Sequence, residues 1–492
     1  MNDFVASIML MGAVASTDGY LPYWMTTNQY GLMPERRGGL ALLQVYSQSD
    51  ESRTIQYSCG VSLATNAYYN PLDPSSRTVN LMADELYGSV RWKLLTLDIG
   101  IKHRENDFIG ASRELGSLSV TGGHLAETGN ARSMPGYLLS LDPVALPWTR
   151  EHLWLYGAYG DYMTMDDRHV EGALVHRMRV GLRYAATDRL SFDAVIDHYA
   201  MWAGHHPTDF SYPVTIKNYI KVVTGRHAGE GGTMSDKLNV IGDHGGSEIF
   251  RVTYRADKWN VTAQHDIPYS DGSGMGFYNF PDGVNTLSFS FTDKNRWVSD
   301  ILYEHQYTLY QSGPINGEMF DDKGNSITPP GVSTIGIDNY FGNSYYRSGW
   351  TYHGRVIGDP LFLPIGVHGQ TWTSARINRG IENNRVKSHH LGLGGKLFRK
   401  HPYKLMLTYT ENYGTYQAPY TGESQIQKPW GTVHETGLKQ ISAAFTGQLE
   451  SVFRIPGLSV LYGLYLDKGQ LYQDAIGLTV GVRYVLGRRE ER

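Results

Sequence analysis

The sequence of 492 residues predicts an all-β fold, a transmembrane antiparallel β-barrel of about 16–18 strands that forms a single domain over residues 1–492. Three observations support this prediction. Apolar and polar residues alternate with a period of two along much of the chain. Tight reversals alternate with long connections, as in outer-membrane barrels. Finally, no run of about 18 consecutive apolar residues exists, so the sequence offers no ordinary transmembrane helix.

The segment 475–486 near the end of the chain shows the alternation most clearly. Every second residue is apolar or aromatic, namely Ile476, Leu478, Val480, Val482, Tyr484 and Leu486. Thr479 and Arg483 lie on the opposite face. An arginine on the lipid face near the membrane midplane would cost about 2–4 kcal/mol. We therefore predict that the apolar set faces lipid, with its tyrosine as an interfacial anchor, and that Thr479 and Arg483 face a polar lumen.

Three further segments, 86–101, 178–197 and 250–263, each contain two alternating strands joined by a short reversal. The faces predicted to point inward carry charged residues, namely Asp98, Lys102, Asp193, Asp197 and Arg251. Charges in a dry core demand partners, whereas a wet lumen accommodates them. A soluble propeller would also show a repeat of about 40 to 50 residues, and the sequence has none. A barrel is therefore favoured over a soluble all-β fold.

The connections opposite the tight reversals are long and rich in Gly, Asn, Asp, Tyr and Pro. We predict extracellular loops at about 203–246, 268–284, 311–345 and 354–384, with short turns on the periplasmic side. Tyrosine dominates the aromatic residues, with 35 Tyr against 15 Phe and 10 Trp. Tyrosine suits an interface, because its ring can lie in an apolar layer and its hydroxyl in water. The predicted interfacial girdle contains Trp92, Tyr184, Trp259 and Tyr484.

Composition excludes several classes of function. The formal net charge of −4 provides no basic surface for nucleic acid. The single cysteine, Cys59, cannot form an intramolecular disulfide, and it lies on the apolar face of an alternating segment as a small apolar side chain. The segment "SIMLMGAVAS" (7–16) has the short apolar core of a signal peptide but no positive charge before it. A first strand is the alternative interpretation of that segment.

Several motifs occur in a characteristic order along the chain. They are "YLPYWMTTNQYGLMP" (20–34), "ETGNARSMPGYLL" (127–139), "HDIPYSDGSGM" (265–275), "YEHQYTLYQSGP" (303–314) and "DNYFGNSYYRSGWTYHGRVIGDPLF" (338–362). With them the chain resembles the Wzi-like capsule-assembly family of outer-membrane β-barrels, in particular its Bacteroidetes-type members. The matching polar residues are Asn130, Asp271, Ser273, Glu304 and Gln311. Because the first motif follows the first strand in that family, the resemblance favours a strand within residues 1–19.

The resemblance implies a barrel in the outer membrane of a Gram-negative bacterium. It implies that the loops bind surface polysaccharide, capsular or exopolysaccharide, and help to assemble or anchor it at the cell surface. This is a lectin-like role without catalysis. The expected partners are surface polysaccharide, outer-membrane lipid and other envelope proteins. A porin-like channel for small solutes is the first alternative, since the inward faces are polar.

An outer-membrane esterase or lipase is the second alternative, because Ser273 and Asp271 lie in a Gly-rich loop and Glu304 and His305 in a later strand. A nucleophile elbow needs Gly two residues before and after the serine. Those positions hold Asp271 and Met275, so the motif fails. Glu304 and His305 are adjacent in a strand and point to opposite faces. We therefore expect no catalytic residues and no enzymatic activity.

We expect neither a metal nor another cofactor. The histidine pairs at 205–206 and 389–390 are adjacent residues, which point to opposite faces when they lie in a strand. The segment "FDDKGN" (320–325) lacks the spaced ligands of a calcium loop.

The predicted loops contain many aromatic residues interleaved with planar polar groups. Aromatic faces can stack on the apolar face of a pyranose ring, and planar polar groups can bind its hydroxyls. The candidate glycan-binding residues are Trp202, Tyr269, Tyr345, Tyr346, Arg347, Trp350, Tyr352 and Trp372. The alternative is that these aromatic rings pack the loops into a plug or form the upper girdle.

Overall fold

The computed structural model describes residues 3–17, 20–69, 77–104, 111–112, 116–227, 240–270, 272–313, 315, 317–321, 323–328, 330, 334, 336–365, 380–421 and 436–487. Its main feature is an 18-stranded antiparallel sheet that closes on itself. We call this sheet the wall. The predicted barrel is therefore confirmed, and its strand number lies within the predicted range.

The wall strands follow one another around the barrel in chain order, each paired with the next. They are β1 Asp3–Ala15, β2 Gly38–Gln48, β3 Ile55–Tyr69, β4 Arg77–Trp92, β5 Leu95–Ile101, β6 Gly136–Ala145, β7 Leu153–Met163, β8 Leu174–Ala185, β9 Leu190–Trp202, β10 Asp243–Arg255, β11 Trp259–Tyr269, β12 Gly283–Phe291, β13 Asp300–Tyr307, β14 Val386–Leu397, β15 His401–Asn412, β16 Leu438–Glu450, β17 Leu458–Gly469 and β18 Ala475–Leu486.

The barrel closes where β1 meets β18. Residues 6–15 of β1 pair antiparallel with residues 477–486 of β18, while the other edge of β1 pairs with β2. The alternating segment near the start of the chain is thus a wall strand, as the resemblance implied. Because both edges of β1 are paired, the backbone hydrogen bonds are satisfied within the sheet, as a membrane requires.

The wall has an apolar outer face and a polar inner face. In β18, Ile476, Leu478, Val480, Val482 and Leu486 are all exposed on the outside of the barrel. Thr479 is 3% exposed and bonds to the Tyr465 hydroxyl, and Arg483 donates to Gln448 Oε1 at 2.8 Å. The predicted assignment of lipid-facing and lumen-facing residues in this strand is confirmed.

The predicted inward charges also line the lumen, where they form ion pairs and hydrogen bonds. Lys102 bonds to Asp98, Arg183 to Asp193 and Arg177 to Asp197, while Arg251 donates to Gln264.

Short reversals join the strands at one end of the barrel, which by the usual asymmetry of such barrels is the periplasmic end. They run from residues 93–94, the shortest, to 292–299, the longest. Trp92 and Tyr184 of the predicted girdle are exposed beside these reversals. Further exposed aromatic residues at this end are Trp148, Trp297, Phe398 and Phe453.

Long connections leave the opposite, extracellular end. Those at 203–242 and 270–282 occupy segments predicted as loops. The predicted loops 311–345 and 354–384 belong instead to one connection, 308–385, because residues 346–353 form turns and part of a two-residue strand pair rather than a wall strand. The sequence analysis did not single out three other connections, at 16–37, 102–135 and 413–437.

The described helices are short: α1 Tyr23–Thr26, α2 Ile216–Val223 and α3 Gly272–Met275. Among the described residues, no helix has the length and apolar character needed to cross a membrane.

Candidate functional site: the plug and the mouth cleft

Three extracellular connections turn back into the lumen. Their inward segments are residues 20–36, 117–131 and 338–363, and together we call them the plug. Most of their described residues are buried or half-buried. The plug is held to the wall by buried side chains, one set for each segment.

Segment 117–131 reaches deepest. Lys404, near the short-turn end of β15, donates to the backbone oxygen of Ser117 at 3.4 Å, and His390 Nε2 donates to that of Leu118 at 2.7 Å. The hydroxyls of Ser119 and Thr121 both donate to the Glu304 carboxyl group on β13. Glu304 is therefore an anchor between the wall and the plug.

The same segment continues along β9 and β11. The backbone N–H of Leu125 donates to Asp266 Oδ2 at 2.7 Å, and His124 Nε2 lies 3.1 Å from Asp197 Oδ2. Asp197 also accepts from Arg177, whose guanidinium group contacts Glu127 at 2.8 Å. Charges on the wall are thus neutralised by the plug as well as by each other.

Segment 20–36 fills the side of the lumen near β15 to β17. The backbone N–H of Tyr23 donates to Asp467 Oδ2 at 2.8 Å, and the Trp24 indole N–H donates to Thr408 at 3.2 Å. Both rings are buried. Asn66 of β3 donates to the backbone oxygen of Leu32 at 2.8 Å, which fixes the other end of the segment.

Segment 338–363 is held by buried carboxyl groups. Asp359 accepts from Gln306 at 2.6 Å, and Asp282 accepts from the Tyr340 hydroxyl at 2.8 Å. Burial raises the pKa of Asp359 to about 7, although its hydrogen bonds act in the opposite direction. Burial likewise raises the pKa of Asp282 to about 7. These groups favour their protonated form inside the protein.

The periplasmic part of the lumen, away from the plug, contains a polar cavity of about 640 Å³. Its lining includes Gln48, Gln56, Ser58, Ser89 and Arg91. The lumen therefore has two compartments, a wet periplasmic cavity and a packed region above it.

At the extracellular side the plug leaves a cleft of about 310 Å³, which we call the mouth cleft. It lies between the extracellular ends of β3 and β4, the connection 164–173 and the plug. It brings together carboxylate, guanidinium, amide and phenol groups. The residues that provide them include Glu35, Tyr68, Asn80, Arg132, Asp167 and Arg355.

The two arginines of the mouth cleft are both half-buried. Burial lowers the pKa of both Arg132 and Arg355, although Glu35 partly offsets the effect at Arg355. Arg355 donates to the backbone oxygen of Thr26 at 3.1 Å. Arg132 Nε is buried without a hydrogen-bond partner in the described part of the chain.

The structure buries most of the predicted glycan-binding aromatics. Trp202, Tyr269, Tyr346, Trp350 and Tyr352 are each at most 6% exposed. The Trp350 indole N–H donates to the backbone oxygen of Ala126 at 2.6 Å, and the Tyr346 hydroxyl to that of Ala203 at 3.3 Å. These two rings pack extracellular connections together, which is the alternative role considered above. Trp350 and Tyr269 also line a second cavity of about 180 Å³, and their role in glycan binding stays a prediction.

The remaining predicted glycan-binding residues differ from these in their burial. Arg347 is exposed, and the half-buried Tyr345 donates its hydroxyl hydrogen to the Phe210 backbone oxygen at 2.5 Å. Trp372 lies outside the described residues. Tyr352 lines the mouth cleft despite its burial.

The polar residues of the motifs are mostly internal. Asn130 donates to the backbone oxygen of Val356 at 3.0 Å, and Gln311 donates to Asn384 Oδ1 at 3.1 Å. Glu304 is the plug anchor described above. Asp271 lies outside the described residues, while Ser273 is in the backbone of α3 and its side chain is not described.

One cluster with the ligand types of a metal site escaped the sequence analysis. Asp84, Glu85 and His103 lie together at the lumen side of β4 and the end of β5. The strand pairing shifts between Ser62 and Leu63, opposite this acidic pair, so both carboxyl groups can be buried on one side. They accept hydrogen bonds from Ser62 and Tyr46 at 2.7 Å each. In the sequence, this cluster could have been recognised from the two adjacent acidic residues, Asp84 and Glu85, within one strand.

The closed wall, its apolar outer face and the loop asymmetry define the class: this is an outer-membrane β-barrel protein of the Gram-negative type. No protein-family model matches the chain, and no curated protein matches it either.

Solved structures do match. The chain is similar to Wzi of Escherichia coli, described as an outer-membrane protein involved in group 1 capsule assembly and a carbohydrate-binding β-barrel. The two share 12% identity and a TM-score of 0.53 over 97% of this chain and 83% of that one. OccK3 (OpdO) of Pseudomonas aeruginosa matches with 11% identity and a TM-score of 0.46, over 98% and 96% of the two chains. OpdK of the same organism matches with 9% identity and a TM-score of 0.46, over 99% of each chain. At these identities the likeness is one of fold alone.

Proposed function

We propose that this protein is a non-enzymatic outer-membrane barrel that binds surface polysaccharide at its extracellular mouth and helps to assemble or anchor it. The single observation that carries the proposal is the mouth cleft. It offers carboxylates, guanidinium groups, amides and a tyrosine ring around a space open to the outside. Sugar hydroxyls both donate and accept hydrogen bonds, so they are matched by this mixture of donors and acceptors.

The fold supports the same proposal. Wzi, the solved structure with a TM-score of 0.53, is described as carbohydrate-binding. The packed plug supports it as well, because it provides a rigid floor for a site at the mouth. Rigid sites lose less conformational entropy when a ligand binds.

Binding to an array of bacterial capsular polysaccharides and exopolysaccharides tests the proposal. Tyr68→Ala and Asp167→Ala remove a ring and a carboxylate from the cleft, and we expect each to weaken binding by about tenfold, the effect of losing a good polar contact. Tyr278→Ala, in the connection 270–282, and Asp293→Ala, at the periplasmic end, are matched controls at exposed positions. Equal losses in the cleft variants and the controls, or no binding by the wild-type protein, would overturn the proposal.

A channel for small solutes is the second candidate, and the polar periplasmic cavity of about 640 Å³ is the observation that favours it. Planar-bilayer recordings separate the two functions. A stable solute-dependent conductance in the wild-type protein would favour the channel, whereas a closed barrel would favour a binding role.

A further inference from the structure

The helical part of the extracellular connection 203–242 packs against the outside of the barrel. Its helix α2 (Ile216–Val223) lies against β8 and β9. Val222 is fully buried in a cluster with Trp202 and Ile241, and the ring of Tyr219 lies 5.7 Å from that of Trp202. Trp202 continues the same face of β9 that exposes Phe192 and Ile196 lower down. Helix α2 therefore covers the upper end of a lipid-facing surface.

Polar groups lie beneath this helix on the outer face of the wall. His176 Nδ1 is 3.0 Å from Asp161 Oδ1, and the Tyr219 hydroxyl donates to Asp161 Oδ2 at 2.7 Å. Exposed to hydrocarbon, a carboxylate on this face would be costly. Helix α2 covers the Asp161 carboxylate and donates a hydrogen bond to it from Tyr219. The helix therefore separates this polar cluster from the lipid.

The position of this cluster along β8 gives the height of α2 in the membrane. His176 is separated from the girdle residue Tyr184 by roughly 27 Å along the strand at about 3.4 Å per residue. With a tilt of roughly 40°, this corresponds to about 20 Å across the membrane, against an apolar belt of about 25 Å. Helix α2 therefore lies where the upper edge of the belt meets the headgroups.

The outer surface of α2 is divided between apolar and basic residues. Ile216 is 80% and Ile220 is 51% exposed, and their spacing of four residues places them on one flank. Lys217 and Lys221 form the adjacent flank by the same spacing. Phe210 and Val214, just before the helix, are also exposed apolar residues. A short amphipathic segment of this kind lies in the plane of a membrane interface.

The charge of the segment indicates which lipid it meets. Residues 210–227 contain two lysines and one arginine, Arg226, but no Asp or Glu, although the whole chain has a net charge of −4. Each basic residue near an anionic membrane surface adds attraction to it. The phosphate groups of anionic lipids provide that complementary charge.

We propose that residues 210–223 form an interfacial anchor that binds a phosphate-bearing lipid headgroup in the outer leaflet. Phe210, Val214, Ile216 and Ile220 enter the apolar boundary, and Lys217 and Lys221 contact the phosphates. This surface is continuous with the lipid-facing wall and separate from the mouth cleft, so the anchor does not depend on the proposed polysaccharide binding.

Depth measurements test the apolar part. In a Cys59→Ser background, Ile220→Cys and Phe320→Cys are each labelled with an environment-sensitive fluorophore, and the barrel is placed in nanodiscs with nitroxide lipids. Phe320 is also exposed, but it lies in the connection 308–385, where it pairs with Ser326. We expect strong quenching at position 220 by nitroxides near the headgroup and little quenching at position 320. Equal quenching at both positions would overturn the proposal.

Lipid selectivity tests the basic part. Lys217→Glu and the matched control Lys323→Glu, at an exposed site of the connection 308–385, are compared in phosphatidylcholine nanodiscs containing fluorescent lipid A. We expect Lys217→Glu to weaken lipid A retention by at least about fivefold, while the control and a zwitterionic probe lipid show no change. Unchanged lipid A retention in Lys217→Glu would overturn the assignment of a phosphate-binding surface.

Discussion

The wall and the plug show two ways in which the same chain fills space. In the wall, a residue's position is decided by whether its number along the strand is odd or even, so that Val480 meets lipid and Thr479 meets the lumen. In the plug, no such period exists, and individual buried contacts such as that of Glu304 with Ser119 and Thr121 decide the position. The effect of a substitution in the wall should therefore depend on which face of the strand it alters. The effect of a substitution in the plug should depend on which buried contact it removes.

The largest expected effect tests the faces of the wall. Val480→Arg places a charge on the lipid face of β18, where it should cost about 2–4 kcal/mol and prevent insertion. Arg483→Leu changes a lumen residue of the same strand and should still insert. Heat-modifiable gel migration after refolding into vesicles measures the inserted fraction of each variant. Equal insertion of the two would contradict the assignment of the faces.

The next effect tests the anchoring of the plug. Glu304→Ala leaves the buried hydroxyls of Ser119 and Thr121 without their acceptor, which should cost about 2–3 kcal/mol of unfolding free energy. It should also raise the ion conductance of the barrel in planar bilayers, because segment 117–131 is released. Gln448→Ala removes a lumen contact between wall strands and is the control. A Glu304→Ala barrel that conducts like the control would show that other contacts hold the plug.

A smaller effect concerns pH. Because the folded-state pKa of Asp359 is raised to about 7, above the ordinary value of about 3.8, the folded protein binds a proton that the unfolded chain has lost. This group should therefore lower the stability as pH rises from about 4 to about 7, by roughly 2 kcal/mol between pH 5 and pH 7. Asp359→Asn should reduce the slope without abolishing it, because the pKa of Asp282 is also raised to about 7. Melting temperatures in detergent from pH 4 to pH 8 measure it, and equal slopes for both proteins would be the contrary result.

The smallest effect is expected on the outer face. Cys59 is exposed there on β3, and Cys59→Ser should change the unfolding free energy by less than about 0.5 kcal/mol. In vesicles the wild-type thiol should react with a lipid-soluble maleimide but not with a charged, water-soluble one. Rapid reaction with the charged reagent would place this face in water.

The architecture of the wall was predictable because a lipid-facing surface must be apolar and successive side chains alternate. The pattern in 475–486 assigned Leu478 and Arg483 to their observed sides. It could not show what lies opposite the inner face. A polar inward residue such as Glu304 fits either water or a plug segment, and only the folded chain shows which one it meets.

The same limit explains why the sequence analysis did not locate the residues of the candidate site. Trp350 and Tyr346 were placed at the surface because they lie in a long connection, yet both are buried. A connection that folds back into a lumen has no period that separates inner from outer residues. The mouth cleft residues Tyr68, Arg132 and Asp167 were missed for a related reason. They come from three distant parts of the chain, and only the plug brings them together.

The seam between β1 and β18 also has a kinetic consequence. It joins residues that are nearly the whole chain apart, such as Ala6 and Leu486, and Tyr23 in the plug contacts Asp467 across a similar separation. Contacts so distant in sequence form slowly, because the entropy of closing the loop is lost before they stabilise anything. The barrel cannot close until β18 has been synthesised. Assembly therefore requires a period in which a chain that carries all of its wall strands, but still has exposed strand edges, is protected from aggregation before it enters the membrane.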